Sequence, residues 1–239
     1  FEKVERLADC HESRRYLELC RDLVDKETFG AAQLDLKGDA SLATFCRAFP
    51  KFAQEQVEFF ICSPGSVWET KRYPPKLLAR VIDRLLTARP NLNCVVSGGA
   101  QDRKVIDELF QFLKKSCPQH IESGRIRDAQ SCLPLAELIE LTKRASFVLT
   151  PDSAPLHIAS AAGTRTFALF GPTSAKTGFG PLASGSRVVD YPLIVGSHLE
   201  CQPCSKHGHQ VCPKRHHRCL ADLPPDLVAD YLLECLTTQ

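Results

Sequence analysis

Short apolar runs alternate with longer amphipathic segments from residue 57 onward. Four runs of four to six residues are apolar on both faces, which is typical of strands buried in a parallel sheet: 57–62, 93–97, 147–150 and 166–170. Five segments carry apolar residues at helical spacing: 74–87, 102–115, 134–145, 155–162 and 224–237. This alternation predicts an α/β fold, with an open parallel sheet covered by helices on both faces.

The first 55 residues have a weaker pattern. Residues 11–24 carry an apolar stripe that predicts a helix, and residues 25–55 read as a connector with a short strand near 32–36. The chain contains no Met and begins at Phe1, so we expect that the natural protein has residues before it.

The composition is that of a globular protein and gives no sign of a nucleic-acid-binding or membrane-spanning protein. Apolar residues make up 44% and charged residues 24%, which is ordinary for a globular protein, and the formal net charge of +2 gives no global field that would attract nucleic acid. No apolar run approaches the roughly 20 residues that a membrane-spanning helix needs.

In open parallel sheets, ligands bind at the carboxyl ends of the strands, so the residues after each strand carry the functional prediction. After the first strand, Gly65 permits a tight turn, Ser66 and Thr70 offer hydroxyls, and Lys71 offers a cation, a combination that suits a phosphate. An ordinary turn with a solvated lysine explains the same residues.

The next two loops allow two interpretations each. Asp102, after Gly98 and Gly99, either caps a helix or accepts hydrogen bonds from ribose hydroxyls. Leu133 offers an apolar surface on which a flat base could pack, although a helix start at Pro134 explains this stretch without a ligand.

The loop after the 147–150 run gives the strongest signal. Asp152 or Ser153 is placed to cap a helix whose first turn contains Pro155, so the amides of Ser153 and Ala154 point into the cleft. Free amides and the helix dipole together form an anion site, and the small side chains let a pyrophosphate approach. His157 follows one turn later and is placed to hydrogen-bond a phosphate or sugar oxygen.

Four of the twelve cysteines cluster near the end of the chain, at Cys201, Cys204, Cys212 and Cys219. Their spacing is compatible with a structural tetrahedral Zn²⁺ site, and a reduced cluster that only stabilises the loop is the alternative. The other eight read as buried thiols of a reducing compartment, which makes disulfides an unfavoured explanation.

Taken together, these loops resemble glycosyltransferase family 9, the lipopolysaccharide heptosyltransferases. The resemblance is carried by Ser63-Pro64-Gly65-Ser66 with Lys71-Arg72-Tyr73-Pro74, by Asp152 to Ala159, and by Ala168 to Thr173. The cysteine region looks like the second-heptose branch of the family, and His11 with Tyr16-Leu17 resembles the segment that leaves the family's N-terminal domain. Ala154 stands where the family often has Gly, and Tyr73 where it usually has Trp.

The resemblance implies a GT-B fold, with two Rossmann-like domains that face each other across a cleft. Residues 56–239 would form the C-terminal donor-binding domain, and residues 1–55 the end of the N-terminal acceptor domain with the linker. The family's general base, an Asp near the N-terminus, has no counterpart in the sequence. The fragment alone is therefore expected to bind donor without transferring sugar.

The implied reaction moves heptose from ADP-heptose to the lipopolysaccharide inner core, with inversion and without a metal. Lys71 would stabilise charge on the leaving ADP, together with the amides of Ser153 and Ala154. Ser66, Thr70, Asp102, Leu133, Asp152 and His157 complete the predicted donor site. A cytoplasmic enzyme with peripheral contact to the inner membrane and no nucleic-acid partner is implied.

Two other functions stay open at this stage. A zinc-bearing basic tail that binds nucleic acid has some charge in its favour but lacks interleaved aromatic residues. A GT-B enzyme that uses another nucleotide sugar, such as an epimerase, would need catalytic carboxylates across the cleft.

Overall fold

The computed structural model describes residues 11–19, 42–53, 56–130, 133–182, 186–190 and 199–237. The helices are α1 (Glu12–Leu19), α2 (Ala43–Ala48), α3 (Pro75–Ala88), α4 (Arg103–Ser116), α5 (Pro118–Glu122), α6 (Leu135–Arg144), α7 (Ala154–Ala161), α8 (Arg218–Ala221) and α9 (Pro225–Thr237). The strands are β1 (Phe59–Cys62), β2 (Asn93–Val96), β3 (Ile126–Asp128), β4 (Phe147–Pro151), β5 (Thr166–Phe170) and β6 (Ser186–Asp190).

The six strands form one sheet in the order β3-β2-β1-β4-β5-β6, and every neighbouring pair is parallel. Ile61 in the centre of the sheet lies opposite Val95 on one side and Val148 on the other. The predicted α/β fold is confirmed. The chain builds outward from β1 to β3 and then returns to place β4 on the other side of β1. A topological switch point therefore lies between β1 and β4.

Both faces of the sheet are apolar because successive side chains of each strand point to opposite sides. On one face, residues such as Phe60, Cys94 and Phe147 pack with the apolar sides of α3, α4 and α9. On the other face, Phe59 and Val148 belong to a cluster that includes Phe45 of α2. Helices thus cover both faces of the sheet, so we expect a ligand site at the ends of the strands.

The sequence pattern did not predict β3, β6 or the short helices α2, α5 and α8. β3 has three residues, two of them charged, and in β6 a charged residue stands on each side of the two valines, so neither forms an apolar run. The helix predicted at 11–24 is described only as Glu12–Leu19, and the strand predicted near 32–36 lies outside the described residues. Among the helices in the described ranges, none is long and apolar enough to cross a bilayer.

Residues 42–53 pack directly onto the sheet. Phe45 and Phe52 are buried with Phe59 of β1, and the carboxylate of Glu137 accepts hydrogen bonds from the first amides of α2, those of Thr44 and Phe45. These bonds satisfy amides that an isolated helix start leaves free. The Thr44 side chain, and after it these two amides, hold the pKa of Glu137 below its ordinary value. The domain boundary predicted at residue 55 stays a prediction.

Candidate functional site

The site lies at the carboxyl end of the sheet, at the switch point between β1 and β4. Lys71, on the loop after β1, and Asp152, directly after β4, form an ion pair with 2.7 Å between Nζ and Oδ2. The two side chains are 11% and 5% exposed, so little water screens the pair. Thr173, after β5, donates a hydrogen bond of 2.8 Å to the same carboxylate oxygen. Three post-strand loops therefore meet at one carboxylate.

The N-terminus of α7 opens beside this ion pair. Ser153 is extended, with φ −155° and ψ 177°, and the helix begins at Ala154. Within the described part of the chain, the amides of Ser153 and Ala154 donate no hydrogen bond, Pro155 has none to donate, and the first bonded amide is that of Leu156. The hydroxyl of Ser153 turns back to Thr150 and Pro151 instead of capping the helix. Two free amides at a helix start form an anion site next to the Lys71 ammonium.

His157 lies one turn into α7, where its surroundings favour the neutral imidazole. Its pKa is lowered mainly by burial, with contributions from nearby His11 and Lys71, while Asp152 acts in the opposite direction. A neutral imidazole donates from one ring nitrogen without requiring a counter-ion. His157 is thus suited to hydrogen-bond a phosphate or sugar oxygen.

His11 reaches the same region from the segment that begins α1. Its Nε2 lies 3.0 Å from the carbonyl of Gly180, and the amide of Glu12 donates to the carbonyl of Gly178. The sequence singled out His11 only as part of the family resemblance and not as a site residue. Thr173 was likewise only part of a matching stretch, and neither residue carries a local signal of its role.

Asp102 lies behind the loop after β1, where it braces two loops. Its Oδ2 accepts a 2.9 Å hydrogen bond from the amide of Gly99, and a Cβ built on Gly65 would lie 2.7 Å from that oxygen and closer still to Oδ1. The residue is 8% exposed. These contacts are those of the capping interpretation, and the carboxylate of Asp102 occupies the space beside Gly65 that a larger side chain would need. Ribose binding by Asp102 stays a prediction.

Ser66 and Thr70 are both buried. The Ser66 hydroxyl accepts from the amide of Trp68, and the Ser66 carbonyl accepts two hydrogen bonds from Arg72. The Thr70 hydroxyl donates to the carbonyl of His209 and accepts from its amide, each at 2.8 Å. The Thr70 hydroxyl is therefore engaged by the chain itself, and direct donor contact by either residue stays a prediction. Leu133 is partly buried and packs against the core cluster that contains Phe45 and Phe59.

The four clustered cysteines line one enclosed cavity of about 10 Å³, together with His216 and His217. Burial raises the pKa of Cys212, but the amides of His217, His216, Lys214 and Arg215 outweigh it and leave that pKa below its ordinary value. Burial raises the pKa of Cys219 to about 12. In the described ranges, no three His, Cys, Asp or Glu side chains are grouped closely enough to hold a metal ion.

The sheet and its switch-point cleft define a Rossmann-like α/β domain of the kind that binds nucleotides. The model of Glycosyltransferase family 9 (heptosyltransferase) matches residues 4–214. The chain therefore belongs to this family, and the predicted family resemblance is confirmed. Membership favours glycosyl transfer over the nucleic-acid alternative.

Similar proteins agree with this membership. A lipooligosaccharide heptosyltransferase 2 from Campylobacter jejuni is 26% identical over 176 residues, which cover 73% of this chain and 50% of the relative. The structure of E. coli ADP-heptose lps heptosyltransferase II has a TM-score of 0.71 at 20% identity and covers 98% of this chain and 64% of that one. A family 9 structure from Veillonella parvula has a TM-score of 0.73 at 17% identity, covering 100% and 63%. The chain spans about half the length of the curated relative.

Proposed function

We propose that this chain is the donor-binding half of an inverting, metal-independent heptosyltransferase that uses ADP-heptose and acts on the lipopolysaccharide inner core. One observation carries the proposal. The ammonium of Lys71 lies 2.7 Å from the carboxylate of Asp152, and Asp152 directly precedes Ser153 and Ala154, whose amides are free at the start of α7. The named activity of the E. coli structural neighbour supports the choice of donor.

In the proposed complex, the diphosphate of the donor lies against the amides of Ser153 and Ala154. Lys71 is shared between the diphosphate and Asp152, whose carboxylate holds the ammonium in place by the 2.7 Å contact. His157, neutral through burial, donates to a phosphate or sugar oxygen. Ser66, Thr70, Asp102 and Leu133 complete the predicted donor surroundings.

The proposed chemistry is a single displacement at the anomeric carbon. An acceptor hydroxyl attacks, its proton goes to a general base, and ADP leaves with the bonding electrons. The growing negative charge meets preorganised donors, Lys71 and the α7 amides, so a metal is not needed for charge stabilisation. The base is expected in the part of the relatives' length that this chain does not span.

A calorimetric titration with ADP, UDP and GDP in parallel tests the proposal. We expect ADP to bind most tightly, and Lys71→Met to weaken ADP binding about 10- to 100-fold, because a charge-assisted contact is lost and Asp152 is left unpaired beside the phosphates. Lys76→Met, at an exposed position of α3, is the matched control and should bind as wild type. Equal affinity for the three nucleotides, or unchanged affinity in Lys71→Met, would contradict the proposal.

A structural Zn²⁺ held by Cys201, Cys204, Cys212 and Cys219 is a second part of the proposal. Support comes from the four-cysteine donor set and from the small cavity that the four residues share. In the described ranges these side chains are not yet grouped closely enough to hold an ion, so zinc binding would require the segment to close around it. Such an ion would supply folding energy only. Metal analysis of protein purified without chelator should find zinc in wild type and in Cys235→Ser, but not in Cys204→Ser. Metal-free wild type would end this idea.

Peripheral contact with the cytoplasmic face of the inner membrane is the third part. Val67 and Val211 are 69% and 74% exposed, and Gln210 joins their loops through a 3.0 Å bond to the carbonyl of Val67. Exposed Lys214 and Arg215 follow in the same segment. Co-sedimentation with anionic vesicles should fall in Val67→Ser/Val211→Ser, and binding equal to wild type would remove this patch from the proposal.

A further inference from the structure

The segment of residues 199–220, termed the cysteine tail, contacts the loop after β1, which supplies Lys71, and the loop after β5, which supplies Thr173. It follows β6 in the chain and has little regular structure apart from α8. Its contacts converge on the residues next to Lys71 and next to Thr173.

The cysteine tail forms hydrogen bonds with the amide, the hydroxyl and the carbonyl of Thr70. The amide and the hydroxyl of Thr70 both donate to the carbonyl of His209, at 3.1 and 2.8 Å, and the hydroxyl also accepts from the amide of His209. Nε2 of His217 lies 2.6 Å from the carbonyl oxygen of Thr70 and donates to it. The backbone and the side chain of Thr70 are therefore both held by the cysteine tail. Because Lys71 is the next residue, these bonds also restrict the backbone of Lys71.

The backbone of the cysteine tail also packs against the Lys71 side chain. Gly208 has φ +97°, and a Cβ at this position would lie 2.8 Å from Cβ of Trp68 and 3.1 Å from Cγ of Lys71. The tail therefore limits where the aliphatic part of Lys71 can go.

A second set of contacts holds the loop after β5. The amides of Cys204 and Ser205 donate to the carbonyl of Pro172, at 3.0 and 3.1 Å. Thr173, the next residue, donates to the Asp152 oxygen that binds Lys71. The same tail thus fixes the neighbours of both groups that converge on Asp152.

We propose that the cysteine tail positions Lys71 against Asp152 and the start of α7, and that the side chain of His217 is one of its positioning groups. The part of this inference that concerns ligand binding rests on the proposed function. A cation that is already held needs no reordering when the diphosphate arrives, and preorganisation of this kind raises affinity without adding a contact.

The test compares three histidine variants. His217 has φ +49°, a conformation that Asn tolerates, so His217→Asn removes the reach to Thr70 with little added strain. His217→Gln keeps an N–H donor on a longer side chain and serves as the rescue variant. His207→Asn alters an exposed histidine of the same tail that makes no contact with Thr70, and is the matched control.

The first readout needs no ligand. Lys71 acetylation by acetic anhydride, followed by mass spectrometry, reports how often the ammonium leaves Asp152. We expect His217→Asn to raise the rate about fivefold, as the loss of one hydrogen bond predicts, with His217→Gln near wild type and His207→Asn unchanged. Emission of Trp68, the single tryptophan, should shift in His217→Asn only.

Alkylation of Cys94, which is fully buried in β2, separates local release from unfolding. It should stay slow in every variant. Unchanged Lys71 acetylation and Trp68 emission in His217→Asn would overturn the inference, and so would equal effects from His217→Gln.

The second readout is ADP affinity, expected to fall about fivefold in His217→Asn and to recover in His217→Gln. If wild type binds no nucleoside diphosphate, the proposed function fails, while the acetylation result still decides whether the tail positions Lys71. If ADP binds equally to wild type and to a His217→Asn protein with released Lys71, only the ligand-binding part of the inference is refuted.

Discussion

Adding one methyl group at Gly65 should create a steric clash between the loop after β1 and Asp102, and should thereby destabilise the fold. The Cβ of Gly65→Ala would meet the carboxylate of Asp102, which cannot swing away without losing the 2.9 Å bond from the amide of Gly99. Overpacking of this kind costs about 1–3 kcal/mol, and we expect the upper half of that range because both carboxylate oxygens and Cγ are contacted.

A double-mutant cycle isolates this contact. Asp102→Ala alone should cost about 1.5–3 kcal/mol through the lost charge-assisted hydrogen bond. Because the carboxylate is then absent, adding Gly65→Ala should cost almost nothing more. The double variant should therefore be about 2 kcal/mol more stable than the sum of the single changes predicts.

Urea unfolding followed by circular dichroism and by Trp68 emission measures the three variants. Coincident curves from the two probes establish a single cooperative transition, which the free-energy comparison requires. If the two single costs simply add, the close approach of Gly65 to Asp102 does not exist in solution.

The remaining predictions concern buried polar groups of the scaffold. The pKa of His120 is lowered, chiefly by burial and then by Arg125, so its folded-state pKa lies below its unfolded value. Its contribution to stability should be present above the unfolded pKa and lost as pH falls through the unfolded pKa toward the folded pKa. His120→Gln should therefore reduce the loss of thermal stability as pH falls below about 6.5, and an unchanged slope would contradict this. Tyr73→Phe removes the 2.7 Å bond to the carbonyl of Leu223 and leaves that carbonyl unpaired, so it should cost about 1–3 kcal/mol in urea unfolding; a cost below about 0.5 kcal/mol would show that water replaces the hydroxyl.

The sequence predicted the sheet well because each central strand is apolar on both faces. Phe60 and Ile61 face opposite clusters, so the strand reads as an uninterrupted apolar run. β3 and β6 were not predicted because they are the short edge strands of the sheet and their sequences include charged residues, such as Arg127 and Asp128. The hydrophobic pattern of a sequence indicates which residues are buried. β3 and β6 are strands because they pair with β2 and β5, and that pairing leaves no such pattern in the sequence.

The candidate site was predicted in position but not in its internal contacts. The switch-point rule and the helix start at Ala154 located the cleft, and Lys71 lies there. The pairing of Lys71 with Asp152, the bond from Thr173 and the use of Thr70 by His209 join residues 21 to 139 positions apart. Local pattern contains no information on such contacts. The cysteine tail has no helical or strand period that would indicate where it docks.

The central claim is that the exposed amides at the start of α7 bind the diphosphate of the donor. Ala154→Pro tests it most directly, because proline at the first position of a helix is well tolerated, the extended Ser153 before it suits an X-Pro bond, and only the amide donor of residue 154 is removed. We expect unfolding to remain as in wild type while calorimetry shows ADP binding weakened about 10-fold or more. ADP affinity equal to wild type in a normally folded Ala154→Pro protein would contradict the claim.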